Sequence, residues 1–371
     1  MRRLADTVMS AAAGGLVRVF FSDLEVTGGA RVPAGGPTIL VANHYNGLVD
    51  GLVLIAVLGR YPRFLGKSTL WKIAPIRPLL ALAGVIPIYR AADVRRGPGG
   101  ASGTERAKRN EESFARCRQL LASGAMVAVF PEGISHDEPR VQELRTGAAR
   151  IALGAAGDDG TPGVVIVPAG LVYDDKSRFR SRALVRIGTP RPVDPAVPGY
   201  RSDGPASVHA LTAQVAADLG AVADDAGLAV FDSAPSGGDA GKRGRLQVAR
   251  SVLEMAGAIP LAGAGVAIHL VPYTIVKAVA KLPANVGVRA SVKLLGCLGL
   301  FTLTYAALAV RVGLRRGIPA GVTTFFAAPV CGYVALLSSE RLDAMGGVAA
   351  RSRRAFGTSG QSIPYGSPPK R

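Results

Sequence analysis

The chain has 371 residues, which is enough for two or three domains. It is 49% hydrophobic with a mean hydropathy of +0.28, a high value for a purely soluble protein. The formal net charge of +18 indicates an acidic partner, whether nucleic acid, an anionic membrane surface or a polyanionic cofactor. Nucleic-acid binding needs stacking aromatics among the basic residues, and aromatics make up only 6% here. We therefore expect anionic membrane lipid and no nucleic acid as a partner.

The cysteines and the first residues argue against a disulfide-stabilised protein, a metal site and a signal peptide. Cys117, Cys297 and Cys331 form no close pair and show no metal-type spacing, so we expect neither a disulfide scaffold nor a metal site. The N-terminus has basic residues but no sustained apolar core, so no signal peptide is predicted. Residues 4–21 instead have the spacing of an amphipathic helix, which suits a packing helix and an interfacial membrane helix equally.

Strands and helices alternate over the first half of the chain, which predicts an α/β domain. The predicted strands are 38–42, 63–67, 85–89, 125–130, 164–168 and 183–187. The predicted helices are 50–58, 72–83, 105–123 and 146–153, with a glycine-rich loop at 97–103. Ligands of such domains bind beyond the strand ends, where the polar residues of this sequence fall.

Composition divides the chain into five segments. They are an N-terminal helix (1–30), a catalytic domain (31–195), a helix and flexible linker (196–250), hydrophobic helices (251–345) and a disordered basic tail (346–371). The linker itself is predicted at 234–245 and the helix before it at 207–221.

Long uncharged runs dominate the C-terminal third, at 255–276, 294–310 and 318–337. The last two approach the length of about 20 residues that a bilayer span needs, and they predict a helical hairpin around Arg311, Arg315 and Arg316. Because this turn is basic, like the segment before it, both a spanning hairpin and a re-entrant or interfacial one remain open. A soluble helical bundle is the third alternative. We expect membrane association that supplies no catalytic group.

Four motifs occur in a fixed order. They are Asn43-His44-Tyr45-Asn46-Gly47-Leu48-Val49-Asp50, Gly84-Val85-Ile86-Pro87-Ile88-Tyr89-Arg90, Val129-Phe130-Pro131-Glu132-Gly133 and Val164-Val165-Ile166-Val167-Pro168-Ala169-Gly170. Each combines an apolar, β-prone run with a polar group or turn at or near its end. The order brings one His, one Asp, one Arg and one Glu towards a common sheet edge.

This pattern resembles the glycerolipid acyltransferase family over roughly residues 15–195. Two departures, the five residues between His44 and Asp50 and the Ile-Ser-His-Asp after Gly133, resemble the branch with yeast-type glycerol-3-phosphate and dihydroxyacetone-phosphate acyltransferases. The resemblance implies a mixed sheet flanked by helices. It also implies transfer of a fatty acyl chain from acyl-CoA or acyl-carrier protein to glycerol-3-phosphate or 1-acylglycerol-3-phosphate. The acyl donor is a co-substrate, and no cofactor or metal is implied.

His44 and Asp50 suit this chemistry. An alcohol that attacks a thioester must lose its proton, and His is a suitable base at neutral pH. A carboxylate on the other ring nitrogen fixes the tautomer and stabilises the imidazolium. Asp50 can return to His44 if the helix between them starts irregularly, and Asn46-Gly47 provides that irregularity.

The acceptor phosphate calls for cationic side chains. Arg90 ends a predicted strand, and its guanidinium matches a phosphate well. The resemblance implies that Glu132 and Gly133 help to bind the acceptor. Lys67 and Arg145 are further candidates for the phosphate or for CoA, whereas His136 and Asp137 are interpreted as loop residues that shape the site.

Three rival functions remain open from the sequence. One is a lipid hydrolase with a Ser nucleophile, although this sequence lacks the Gly-x-Ser-x-Gly elbow of such enzymes. The others are a phospholipid–lysophospholipid transacylase and a non-enzymatic membrane-binding protein on the same fold. The expected location is at a membrane, with the active site on the cytoplasmic side.

Overall fold

The computed structural model describes residues 2–74, 76–90, 103–136, 138, 140–176, 178–223, 243–282 and 286–357. The glycine-rich loop up to residue 102, Asp137, most of the predicted linker and the tail beyond residue 357 lie outside these ranges. The described chain forms two compact units. The first comprises Met1–Ala234 and Ala280–Leu294, and the second comprises Pro235–Val279 and Leu295–Arg371.

The first unit is built on a mixed sheet, as predicted. Its strands are β1 (Phe21–Thr27), β2 (Thr38–Ala42), β3 (Pro62–Lys67), β4 (Ile86–Ile88), β5 (Met126–Val129), β6 (Val165–Tyr173), β7 (Ser181–Ile187) and β8 (Arg191–Pro192). The strand order is β1-β7-β6-β2-β5-β3-β4, with β8 beside β6. Strands β6, β2, β5, β3 and β4 run parallel to one another, while β7 and β8 are antiparallel to β6.

Helices cover both faces of this sheet. They are α1 (Arg2–Phe20), α2 (Leu48–Val57), α3 (Arg77–Ala83), α4 (Gly103–Ala122), α5 (Gly147–Leu153), α6 (Val197–Ser202) and α7 (Gly204–Ala223). Successive residues of β2 alternate between the two cores, because strand side chains point to opposite faces. Leu40 packs in the core formed with α1 and α2, and Ile39 in the core formed with α4, α5 and α7. Both are fully buried, which explains why β2 is a continuous apolar run.

Helices α1 and α7 belong to the first unit, although the composition of the sequence places them in separate segments. Helix α1 packs Ala13, Val17 and Phe20 into the sheet core, so the N-terminal helix is part of the first unit, and the packing alternative holds for this face. Helix α7 buries Leu211 and Leu219 against the opposite face, so the catalytic unit continues well beyond residue 195. Composition alone misplaced these boundaries because Pro- and Gly-rich connectors also occur inside a domain.

Three long helices follow, α8 (Arg243–Val279), α9 (Val286–Arg316) and α10 (Ile318–Gly357). The second unit contains α8, α10 and the part of α9 from Leu295 onwards, whereas α9 up to Leu294 belongs to the first unit. Each helix contains a stretch that is long and apolar enough to cross a membrane, at 259–279, 291–316 and 318–341. The run at 255–276 therefore adds a third candidate span to the two predicted. Helix α10 continues to Gly357, so the start of the predicted disordered tail is helical.

Small residues and the polar pair His269–Tyr305 join the described parts of these helices. Gly265 of α8 lies against the backbone of Cys331 in α10, and the His269 ring packs on Gly332. His269 Nε2 lies 2.6 Å from the hydroxyl oxygen of Tyr305 in α9. Close approach at small residues is typical of helices packed within a membrane. Many large apolar side chains of this unit are exposed, which suits contact with lipid rather than water.

The packing of α7 on β6 gives a stability prediction. A Cβ atom at Gly170 would overlap the backbone carbonyl of Val222, which cannot move without shifting the helix. We expect Gly170→Ala to lower the free energy of unfolding by roughly 1–3 kcal/mol, the usual cost of overpacking. Gly59→Ala is the control, since its added methyl group meets open space. Thermal unfolding in detergent measures both, and equal midpoints would contradict this packing.

Candidate active site

The polar residues of the motifs gather at the carboxyl edge of the parallel strands. The register aligns Val41 of β2 with Val129 of β5, and Lys67 of β3 with Ile88 of β4. Parallel strands end at the same sheet edge, so residues that follow them lie side by side. His44, Glu132 and Arg90 follow strands in this way, and Lys67 is the last residue of β3 at the same edge. The predicted common edge is therefore present in the fold.

His44 is held by a carboxylate and a ring. Its Nδ1 lies 3.0 Å from Oδ2 of Asp50, and its ring stacks on Phe130 with centroids 4.1 Å apart. The side chain is 14% exposed, whereas that of Asp50 is fully buried. Because Nδ1 faces Asp50, Nε2 is the ring nitrogen that can receive a proton from a bound molecule. This is the arrangement required of a general base oriented by an acid.

The turn before α2 makes this contact possible. Gly47 has φ 56° and ψ −124°, a backbone conformation that residues other than glycine rarely adopt. The chain therefore reverses sharply after Asn46, and Asp50 returns in the first turn of α2. The irregular start predicted from Asn46-Gly47 is present.

Asp50 receives further hydrogen bonds. The Asn46 N–H donates to Oδ2 at 2.7 Å, and the Tyr173 hydroxyl donates to Oδ1 at 2.6 Å. Burial, and then the neighbouring Asp50, raise the pKa of Tyr173 well above its usual value, so the phenol remains protonated and a donor. A buried carboxylate is tolerable only when its oxygens are satisfied in this way.

Sequence reasoning missed Tyr173. The predicted strand stopped at Pro168, because proline commonly ends strands, but β6 continues to Tyr173. The backbone N–H of Gly188 donates to the Pro168 carbonyl at 2.8 Å within this part of the sheet. The apolar run that continues after the proline was the available signal.

Glu132 is a fixed part of the scaffold. Its side chain is fully buried, and its oxygens accept from the backbone N–H of His44 at 2.8 Å and of Gln142 at 3.0 Å. His136 Nε2 lies 2.9 Å from Oε1, close enough for an ion pair but poorly aligned for a hydrogen bond. The geometry therefore supports a role for Glu132 in positioning His44, rather than the predicted direct contact with the acceptor.

The loop of His136 closes around the same backbone. Its N–H donates to the carbonyl of His44 at 3.2 Å, and its own carbonyl accepts from Lys176 Nζ at 3.0 Å. The Tyr45 ring meets that of His136 edge-on at 5.2 Å. His136 thus lies in a loop that is tied to the backbone of His44, and its role in shaping the site stays a prediction.

The predicted cations lie at or near the sheet edge. Lys67 is the last residue of β3 and is half-buried. Arg90 follows β4, where the side chain of Asn110 in α4 bonds both the N–H and the carbonyl of Tyr89. This clamp, which the sequence did not reveal, fixes the backbone immediately before Arg90.

Arg145 lies beside Gly133, the last residue of the third motif. The Arg145 N–H donates to the Pro131 carbonyl at 2.8 Å, and its Cγ would lie 3.6 Å from a Cβ at Gly133. Gly133 has φ +76°, so the turn itself requires glycine. The exposed Arg145 side chain therefore starts from the loop that also carries Glu132.

Known proteins resemble the segment that carries this site. Residues 23–172 match the family model named Acyltransferase, a segment that contains all four motifs. This segment is similar to glycerolipid acyltransferases.

Two relatives with assigned activities match part of the chain. Glycerol-3-phosphate O-acyltransferase 2 of Saccharomyces cerevisiae is 36% identical over 118 residues, which is 32% of this chain and 16% of that protein. The 1-acyl-sn-glycerol-3-phosphate acyltransferase LPAT1 of Arabidopsis thaliana is 26% identical over 157 residues, or 42% of this chain and 38% of that protein.

Two further matches are an uncharacterised protein and a solved structure. Uncharacterized acyltransferase C1718.04 of Schizosaccharomyces pombe is 27% identical and covers 47% of this chain and 37% of its own length. The crystal structure of the 1-acyl-sn-glycerophosphate acyltransferase PlsC from Thermotoga maritima aligns with a TM-score of 0.42 and 17% identity, over 64% of this chain and 83% of PlsC. The chain spans well under half the length of the three curated relatives.

The bond between Tyr173 and Asp50 gives a second prediction. Tyr173→Phe keeps the ring but removes one donor from a buried carboxylate. We expect the free energy of unfolding to fall by roughly 1.5–3 kcal/mol, as for hydrogen bonds to charged groups. We also expect slower acyl transfer, because Asp50 is held less firmly.

Tyr200→Phe is the matched control for this variant. It removes a similar but solvent-exposed bond, 2.9 Å from the hydroxyl to Asp158, at a half-buried position outside the site. Chemical unfolding and an acyl-transfer assay are run on both variants. If Tyr173→Phe behaves like Tyr200→Phe in both, Tyr173 does not support the Asp50 carboxylate.

Proposed function

We propose that this protein is an O-acyltransferase of phospholipid biosynthesis. It moves a fatty acyl chain from acyl-CoA or acyl-carrier protein to a hydroxyl of glycerol-3-phosphate or 1-acylglycerol-3-phosphate. The observation that carries the proposal is the His44–Asp50 pair, buried on its acid side and open on its base side, within an acyltransferase domain. The activities for which the yeast and plant relatives are named support the acceptor class.

The reaction proceeds in one ternary complex. The acceptor hydroxyl loses its proton to Nε2 of His44 while its oxygen attacks the thioester carbonyl, and a carbon–oxygen bond forms. The carbon–sulfur bond then breaks, and the leaving thiolate takes the proton back from the imidazolium. Asp50 stabilises the imidazolium between these steps, as the buried acid does in related His–Asp pairs. Direct attack in this complex requires no acyl-enzyme, and the proposed steps use no metal or resident cofactor.

The cations near the sheet edge bind the acceptor. Arg90 binds the phosphate through its guanidinium, and Lys67 and Arg145 add positive charge for the phosphate or the CoA phosphates. Gly133 lets a substrate approach the backbone closely. Glu132 acts on the acceptor only indirectly, by holding the backbone of His44.

The second unit associates with a membrane through its three apolar helices. Basic residues lie at the ends of these helices, including Lys277, Lys293 and Arg311. We assign them to anionic lipid headgroups, at about 1 kcal/mol for each basic side chain near the surface. We also place the active site on the cytoplasmic side of the membrane.

The central experiment replaces His44. We expect His44→Ala to lower turnover by roughly 10² to 10⁴, the usual contribution of a general base, without loss of the fold. His209→Ala is the control, because His209 is exposed on α7. Turnover is followed as labelled palmitoyl transfer from palmitoyl-CoA in micelles. If His44→Ala keeps more than about a tenth of wild-type turnover, the assignment of His44 is wrong.

The role of Arg90 is tested by the effect of its substitution on the KM values for acceptor and donor. A phosphate contact made both before and during reaction affects mainly binding, so Arg90→Ala should raise the acceptor KM by about tenfold or more. The acyl-donor KM should change little. Arg201→Ala, an exposed arginine of α6, is the control. Equal increases for donor and acceptor would move Arg90 away from the acceptor phosphate.

A further inference from the structure

Helix α2, which carries Asp50, begins without a cap of its own. The residue at its N-cap is Gly47, which has no side chain to accept from the free N–H groups of the first turn. The first N–H groups of any helix need such partners, and Ser, Thr, Asp and Asn usually provide them. Asp50 lies within this first turn, so its position depends on how firmly the turn is held.

A distant serine supplies the missing acceptor. The backbone N–H of Leu48 donates to Oγ of Ser291 at 3.0 Å, although the two residues are 243 positions apart. The N–H of the next residue, Val49, donates to the carbonyl of Asn46 at 3.1 Å. The start of α2 is therefore held on one side by its own turn and on the other by Ser291.

Ser291 is itself anchored in the first unit. It belongs to the segment Ala280–Leu294, which returns to that unit after α8. Leu294, one helical turn further along α9 on the same face, is only 8% exposed. It packs in the core formed with α1 and α2, where Val17, Phe20 and Val49 also lie. A hydroxyl cap and an apolar anchor thus place the start of α9 against α2.

We propose that Ser291 is a positioning residue of the active site, which caps α2 from the C-terminal third of the chain and so keeps Asp50 aligned with His44. This inference rests on the proposed function, because alignment affects turnover only if His44 and Asp50 catalyse the reaction. It goes beyond that function by assigning a role at the site to a segment that the sequence placed among membrane helices.

The test uses Ser291→Ala in the full-length protein. Amide hydrogen exchange of the peptide covering residues 48–57 should become faster by on the order of tenfold. Loss of an N-cap serine typically destabilises a helix enough to raise the population of its open form by about this factor. The kcat for acyl transfer should fall by a similar factor, with both KM values unchanged. Ser291→Thr retains the hydroxyl and should restore exchange and kcat.

Two matched controls separate capping from general damage. Ser339→Ala removes a hydroxyl of α10 that bonds only to the Leu336 carbonyl among its described partners, and it should change neither measurement. Leu294→Ala should speed exchange in the same peptide, whereas Leu298→Ala, at a 48% exposed position one turn on, should not.

Three results would overturn the proposal. One is unchanged exchange in Ser291→Ala, which means that water replaces the hydroxyl at no cost. Another is a loss of kcat without faster exchange, and the third is no restoration by Ser291→Thr. Because exchange is measured without substrate, an enzyme that transfers no acyl group would refute the proposed function while the cap itself could still be tested.

Discussion

The burial of the Asp50 carboxylate is the constraint on which the site depends. An ionised group without water is costly unless polar neighbours surround it. Here the neighbours come from three places in the chain: the Asn46 N–H, the Tyr173 hydroxyl and the ring of His44. Satisfying the carboxylate and orienting the histidine are therefore the same structural task.

The sheet brings these groups together. Strand β2 lies between β6 and β5, so the turn that follows it meets residues carried by both neighbours. Tyr173 ends β6 on one side, and Glu132 follows β5 on the other and binds the His44 backbone. The loop that carries His44 and leads to Asp50 is thus tied from both sides. These contacts involve the backbone N–H of His44 and Nδ1 of its ring, so they leave Nε2 for a bound molecule.

Part of this arrangement could be predicted from sequence, because it follows from local rules. Apolar runs identify the strands, parallel strands end at one edge, and a polar residue after each run must then lie there. His44, Lys67 and Arg90 were found in this way, and Asn46-Gly47 indicated the irregular turn to Asp50. The strand ends also located Glu132, although its burial changes the role that the geometry supports.

The remaining contacts could not be predicted, because their partners are far apart in sequence and chemically ordinary. Tyr173 is 123 positions from Asp50, and Ser291 is 243 positions from Leu48. A tyrosine in a strand or a serine in an apolar helix has no distinctive signal until the fold is known. Domain boundaries failed for the same reason, since α1, α7 and the segment Ala280–Leu294 join the first unit through tertiary packing.

The claim that His44 and Asp50 act as one catalytic unit is tested most directly by a double-mutant cycle. The turnover of His44→Ala, Asp50→Asn and the double variant is measured with a saturating acyl donor and acceptor. If the acid works through the base, removal of both costs no more than removal of His44 alone, as in other catalytic groups that act as a unit. Losses that multiply in the double variant would show independent roles and contradict this account.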